Sequence, residues 1–312
     1  MPVESQPVEF PDVTVLAVPL FIILIILEML YGWKTGKAKF EGKDTITSML
    51  MGLGSTVFKY GLGGITAYYI YNNFRFFTLG YDVWVIALAF VLYDYKYYWG
   101  HRLGHRMRWM WAAHVIHHSS QHYNLSTALR QTWTEGLTPG FILAIPLFLI
   151  GIDPVIVYFV GGLNLIYQFW IHTEAIDKMP KWFEYIFNTP SHHRVHHGKN
   201  PRYLDSNYAG IFILWDRMHS TFIPEETTDP VEYGLVHDLG TFNPLRVAVH
   251  EWVGIIKDMW SAKGFKNKMM FLVAPPGWTP DGSRKTSEMI REEWLAREKA
   301  KDKDKPMMDA AE

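Results

Sequence analysis

The sequence predicts an all-α fold: a polytopic membrane helical bundle of about four to five spans under a cytoplasmic, histidine-rich di-metal cap. Three observations lead there. Apolar runs of span length recur through the first half of the chain, histidines gather in three blocks at helical spacing, and basic residues alternate between the loops that join the runs.

The N-terminal segment is acidic (Glu4, Glu9, Asp12) and has no basic region of the kind a secretory signal carries. Residues 13–30 form an apolar run long enough to span a bilayer, which takes about 20 residues; Glu28 is its one charge. Residues 45–71 form the second candidate, with Gly52, Gly54, Gly61, Gly63 and Gly64 suited to close helix packing in lipid and Lys59 interrupting it. The third, residues 81–99, carries Asp94 and Lys96. Residues 137–150 and 152–170 follow, separated only by Gly151. They read as a tight hairpin, or as a shorter segment that dips in beside one that crosses.

The basic residues test this layout. Lys34, Lys37, Lys39 and Lys43 follow the first run, Arg75 alone the second, and Arg102, Arg106 and Arg108 the third. The turn between the last two runs has Asp153 and no base, whereas Lys178, Lys181, Arg194, Lys199 and Arg202 follow the fifth. The alternation predicts an N-terminus outside or lumenal, with the histidine blocks and the C-terminus cytoplasmic, in a bacterial inner membrane or the endoplasmic reticulum. Beyond Trp170, residues 181–187 read as an interfacial helix, 243–259 as an amphipathic helix, and 287–305 as a charged helix fraying into a disordered tail.

Eight of the 14 histidines lie in the three blocks: His101 and His105; His114, His117 and His118; His193, His196 and His197. Positions i, i+3 and i+4 share one helix face, so each block is expected to present its imidazoles together. Neutral imidazole is the commonest protein metal ligand, and eight are too many for one ion but suit two. His172, after the fifth run, is a candidate ninth ligand. His192 points about 100° from His193 and reads as a neighbour of the ligands, while His122, His219, His237 and His250 do not read as ligands. Metal-bound histidine donates its other N–H to a carboxylate or carbonyl; Asp94, Glu135, Glu174 and Asp205 are the candidate partners.

The composition narrows the chemistry. There is no cysteine, which excludes disulfides, Cys-ligated zinc and iron–sulfur clusters. A net charge of −1 provides no basic field for nucleic acid. His101 and His105 have no Glu between them, unlike a His-Glu-x-x-His zinc hydrolase, and the Glu-x-x-His repeats of carboxylate-bridged di-iron bundles are absent near the blocks. An all-histidine two-metal site at a membrane surface fits oxygen activation on a lipid. The aromatics Tyr95, Tyr97, Tyr98, Trp99, Trp109 and Trp111 read as a lipid entry or an interfacial belt. The rival of another class is a zinc-binding or zinc-transporting membrane protein, which predicts ionisable residues along several spans; here they are few, mainly Lys59 and Asp94.

The blocks resemble the signature of the fatty acid hydroxylase and sterol desaturase superfamily: His-x3-His, His-x2-His-His and a later His-x2-His-His. The words WAAHVIHHSS at 111–120, YNLSTALRQ at 123–131, QFWIHTE at 168–174, NTPSHHRVHHG at 188–198, NYAG at 207–210 and LWDR at 214–217 are similar to its alkylglycerol monooxygenase branch. Tyr233-Gly-Leu and Phe242-Asn-Pro continue the likeness.

The resemblance implies an O2-dependent monooxygenase with two iron ions held by the eight block histidines. The substrate would be a glycerol ether lipid hydroxylated beside its ether oxygen, and the reductant tetrahydrobiopterin or a separate redox protein. Hydroxylation or desaturation of a sterol, carotenoid or fatty acyl chain is the alternative within the same superfamily. The chain then divides into N-terminal transmembrane helices (1–92), a hydroxylase-like catalytic region (93–244) and an amphipathic, charged C-terminal part (245–312).

Overall fold

The structure, a computed structural model, describes residues 10–58 and 62–303. Among the described residues it is all-α, with short 3₁₀ turns and two isolated β-bridges, Phe187 with Phe212 and Gly198 with Tyr233.

Helix α1 (Val13–Thr35) starts where the Asp12 carboxylate accepts hydrogen bonds from Thr14 N and Val15 N, and stops at Gly36, whose φ of 76° ends the helix in the left-handed region. It buries only Ile25 and Glu28. Val15, Leu16, Leu20, Ile23 and Leu27 are exposed, as on a helix that meets lipid. Among the described residues α1 alone is both long and apolar enough to cross a membrane on those criteria.

The second expected span is described as two helices, α2 (Gly42–Phe58) and α3 (Leu62–Phe74). Lys59 and Gly61 fall outside the described residues. Gly52 is needed for close approach: a Cβ there would meet the Leu129 carbonyl. Helix α4 (Val83–Arg106) buries Val85, Ala89, Asp94, Tyr98, His101 and His105 along one stripe, so the same helix passes from an apolar half to a histidine-bearing half. Met107, in extended conformation, breaks it from α5 (Arg108–His118).

The segment 137–150 is not a full-length crossing helix. It consists of 3₁₀ turns at Glu135–Leu137 and Pro139–Ala144 followed by α6 (Ile145–Leu149). Pro139 and Pro146 lack the N–H a continuous helix needs, and such a short stretch cannot cover a hydrocarbon core about 30 Å thick. It dips instead into an apolar core: Leu147 and Phe148 pack with Val85, Ala89, Ile152 and Ile156. Gly151, at φ 96°, turns the chain, and its carbonyl accepts from Leu79 N. Helix α7 (Pro154–Trp170) begins on an Asp153 cap with Pro at its first position and packs on α1 through the stacked rings of Phe21 and Phe169, 4.0 Å apart.

The rest of the chain caps this bundle. Short helices α8 (Lys181–Ile186), α9 (Pro190–His196) and α10 (Leu214–Met218) lie on irregular backbone. Helix α11 (Pro244–Ser261), capped by Asn243, seats Val247 and Ala248 against Met51, Val115 and Ile116. Helices α12 (Phe265–Val273) and α13 (Ser287–Lys303) follow. The expected disordered tail lies outside the described residues.

Candidate metal centre

Nine imidazoles converge where α4, α5, the end of α7 and α9 meet. They form two groups: His101, His105, His114, His118 and His196 in one, and His117, His172, His193 and His197 in the other, with the potential ligand atoms of each group within 4.8 Å of one another. The eight block histidines and His172 are therefore brought together. Each block presents its imidazoles together, as spacing suggests, with ring centroids 4.8–5.6 Å apart within a block, but two of the three blocks divide between the groups. Helix α5 sits between the groups, giving His114 and His118 to one and His117 to the other. Helix α9 and its C-cap divide likewise, with His196 opposite His193 and His197.

The nitrogens are positioned as ligands would be. Nε2 atoms lie 2.9 Å apart between His101 and His114, 3.1 Å between His114 and His118, and 3.1 Å between His118 and His196. In the second group, His172 Nε2 is 3.1 Å from His117 Nε2 and 3.0 Å from His193 Nε2. Two ligands at right angles, each about 2.1 Å from one ion, are separated by about 3 Å.

Backbone carbonyls fix the tautomers. His101 Nδ1 is 2.8 Å from Tyr208 O, His196 Nδ1 2.8 Å from Ser206 O, and His172 Nδ1 2.7 Å from Gln168 O. A carbonyl only accepts, so in each ring Nδ1 carries the proton and Nε2 presents its lone pair inward. Those lone pairs face one another, an arrangement a cation relieves. His105 Nε2 and His197 Nε2 are buried with no hydrogen-bond partner, as open ligand positions would be. Burial, reinforced by the neighbouring imidazoles, holds His101 down to about 3, and burial holds His172 down to about 4. The same causes hold His114, His117, His118, His193, His196 and His197 well below the usual imidazole range. Neutral rings are the metal-binding form, so the donor set fits two transition-metal ions.

Of the expected carboxylate partners, Asp205 reaches a cluster ring, with Oδ1 3.5 Å from His105 Nδ1 and Oδ2 3.6 Å from Arg106 Nε. Asp94 does not orient His101. Its carboxylate accepts from Ile211 N, Phe212 N, Trp215 Nε1 and Asn164 Nδ2 at 2.7–3.0 Å, pinning the loop before α10 to α4. Glu135 is exposed on a 3₁₀ turn. Glu174 lies beside Tyr233 and Arg194. His192 packs edge-on against Phe222, ring centroids 5.2 Å apart, outside both groups.

The carbonyls of Ser206 and Tyr208 escaped sequence reasoning because a backbone acceptor leaves no residue-type signature. A trace exists: Asp205 and Asn207 both adopt positive φ, 57° and 54°, and Asp and Asn are the non-glycine types that tolerate it best. Asp216 holds this turn by accepting from Tyr208 N and Ala209 N, each at 2.8 Å. Tyr123 supports the other group, its ring stacked 5.7 Å from His172 and its hydroxyl donating to Ile171 O.

Comparison with known proteins agrees with this geometry. The fatty acid hydroxylase family model matches residues 86–221, which contain all nine converging histidines. An alkylglycerol monooxygenase of Danio rerio is 44% identical over 281 residues, covering 88% of this chain and 62% of the relative; that of Homo sapiens is 42% identical with the same coverage. A cholesterol 25-hydroxylase-like protein of Danio rerio is 30% identical over 45% of this chain and 55% of the relative. The chain thus spans about three fifths of the length of its alkylglycerol monooxygenase relatives. No solved structure matches significantly. Residues 86–221 are thus similar to the fatty acid hydroxylase family, within a chain similar over most of its length to alkylglycerol monooxygenases.

Proposed function

We propose that this chain is an integral-membrane, O2-dependent monooxygenase with two iron ions, and that its substrate is a glycerol ether lipid. The observation that carries the reading is the pair of neutral, inward-facing imidazole groups inside the region similar to the fatty acid hydroxylase family. One ion is assigned to His101, His105, His114, His118 and His196, and the other to His117, His172, His193 and His197. Iron would supply the oxygen chemistry. Overall, one oxygen atom enters an alkyl C–H bond beside the ether oxygen, and the other leaves as water with two electrons and two protons from the reductant. The hydroxylated carbon then carries two oxygens, and the resulting hemiacetal collapses to a fatty aldehyde and a glycerol.

The protein's part is placement. The turn at residues 205–208 orients His101, His105 and His196, while burial keeps His101 and His196 unprotonated and water excluded. Helices α1, α4 and α7 supply the apolar route by which a chain reaches the centre from the bilayer. Tetrahydrobiopterin is assigned as the reductant on the likeness to alkylglycerol monooxygenases. The inside-facing cap, the N-terminal anchor (1–92), the catalytic region (93–244) and the C-terminal part (245–312) belong to the same reading.

The test is aerobic turnover of an alkylglycerol by the iron-loaded protein in detergent, with and without tetrahydrobiopterin, reading fatty aldehyde. Aldehyde that depends on the pterin and disappears in His117→Ala is the expected result. Iron-replete protein that forms no aldehyde, yet hydroxylates a sterol or acyl lipid, would move the substrate assignment to the other superfamily chemistries.

A further inference from the structure

Outside the histidine centre a half-open cavity of about 190 Å³ lies between α8, α9 and the segment after α10. Lys178, Lys181 and Arg217 line it, with Glu184, Ser191 and His192. The acidic groups at its wall are already occupied. Glu184 Oε1 accepts from Met179 N, Thr189 Oγ1 and Ser191 Oγ. Glu225 is held in a two-point pair with Arg194, at 2.8 and 2.7 Å. Lys178, Lys181 and Arg217 therefore face the cavity against the carboxylates of Glu184 and Glu225, of which Glu225 is already paired with Arg194. Arg217 is fixed flat, its guanidinium 3.9 Å from the centre of the Phe222 ring and 4.9 Å from that of Tyr185. His192 is 3% exposed, and its Nδ1 has no hydrogen-bond partner. A fixed guanidinium and two lysines are the donor chemistry of a phosphate site.

The surroundings say where the phosphate comes from. Trp182, Tyr185 and Met218 are 66%, 61% and 64% exposed beside the cavity. This face of the cap lies low against the bundle. Phe212 packs edge-on against Phe90 of α4 at 6.1 Å, Trp215 bonds Asp94, and Phe187 bridges to Phe212. Both α4 residues belong to the segment 81–99 that reads as a span. Exposed Trp and Tyr flanked by Lys and Arg at that depth form an interfacial belt.

We infer that the cavity between α8, α9 and α10 binds the headgroup phosphate of an anionic phospholipid, docking the cap on the bilayer surface next to the histidine centre. The inference rests on the membrane placement proposed above and not on the iron or the ether-lipid chemistry.

The test is calorimetric titration of the full chain in detergent micelles with dioctanoyl phosphatidylglycerol, inorganic phosphate and dioctanoylglycerol. Saturable binding of the phosphatidylglycerol is expected, weakened by salt and at least about tenfold weaker in Lys178→Glu/Lys181→Glu through loss of charge-assisted contacts. The Lys178→Arg/Lys181→Arg variant is expected to bind as the parent does, and so is His117→Ala, which separates this site from the metal centre. Equal binding by the charge-reversed variant would overturn the inference. So would inorganic phosphate binding as tightly as the lipid, which marks a free-anion site, or dioctanoylglycerol doing so, which marks an apolar contact alone.

Discussion

The turn at residues 205–208 decides how the five-histidine group is built. Two of its carbonyls and the Asp205 carboxylate face the outer nitrogens of His101, His196 and His105, and two left-handed residues aim them. Because the partner of a ligand's second nitrogen fixes its tautomer, losing one costs about 10–100-fold in metal affinity. Asp205→Ala is therefore expected to weaken one of the two metals by about that factor and spare the other, as read by chelator competition and metal content, with the helical circular dichroism unchanged. Equal loss of both metals, or of neither, would count against the assignment. Sequence showed the histidines and Asp205 because side-chain types carry that signal. It misplaced Asp94 because helical register puts a carboxylate on the right stripe without showing that residues 211–215 come back across 117 positions to claim it.

At the scale of elements, α5 is the part both groups depend on, and a buried ion pair holds its C-terminal end. Arg130, 1% exposed, donates to Asp44 of α2 at 2.6 Å and also to Ile116 O, Ser119 Oγ and Ser48 Oγ. Removing one partner of a buried pair strands the other charge and costs about 3–5 kcal/mol. Arg130→Met is expected to lower the thermal midpoint of the protein in detergent, and adding Asp44→Asn should restore part of it, since the stranded charge is gone. An Arg130→Met variant as stable as the parent would mean that the pair contributes nothing net. The helices α1, α4, α7 and α11 were legible in sequence because long apolar or amphipathic periodicity is a local property. The segment 137–150 was legible only as one of two alternatives, since its apolar content matches a span while Pro139 and Pro146 and the contacts of Leu147 and Phe148 decide that it folds into the core. The division of α5 between two groups was hidden because it depends on where α7 and α9 dock, not on the spacing of His114, His117 and His118.

Across the whole molecule, a core made of neutral imidazoles ties stability to pH. In the unfolded chain each histidine protonates near about 6.5. In the folded chain burial holds His172 at about 4 and His101 at about 3, with six other cluster rings also well below the ordinary range. The folded-state values are depressed, so below the unfolded value the unfolded chain binds more protons and the folded state loses ground. The stability these rings permit is present above about pH 6.5 and falls as the pH drops towards 4 for His172 and 3 for His101. Bound metal acts in the same direction, because protons compete for the same nitrogens. The metal-free protein in detergent is thus expected to show a thermal midpoint that falls steeply below about pH 6.5. Metal-loaded protein should follow the same course from a higher starting midpoint, releasing its ions as it unfolds. Thermal scans of both forms from neutral pH to pH 4, with released metal measured in parallel, separate this from ordinary acid denaturation. Protonation of paired carboxylates such as Asp258, held low by Arg108 and Arg284, would act only below the ordinary carboxylate range, and Asp216, which burial holds up to about 6, takes up its proton more readily folded than unfolded and so acts in the opposite direction; in a protein whose imidazole core did not matter, the midpoint would therefore not fall between about pH 6.5 and 5.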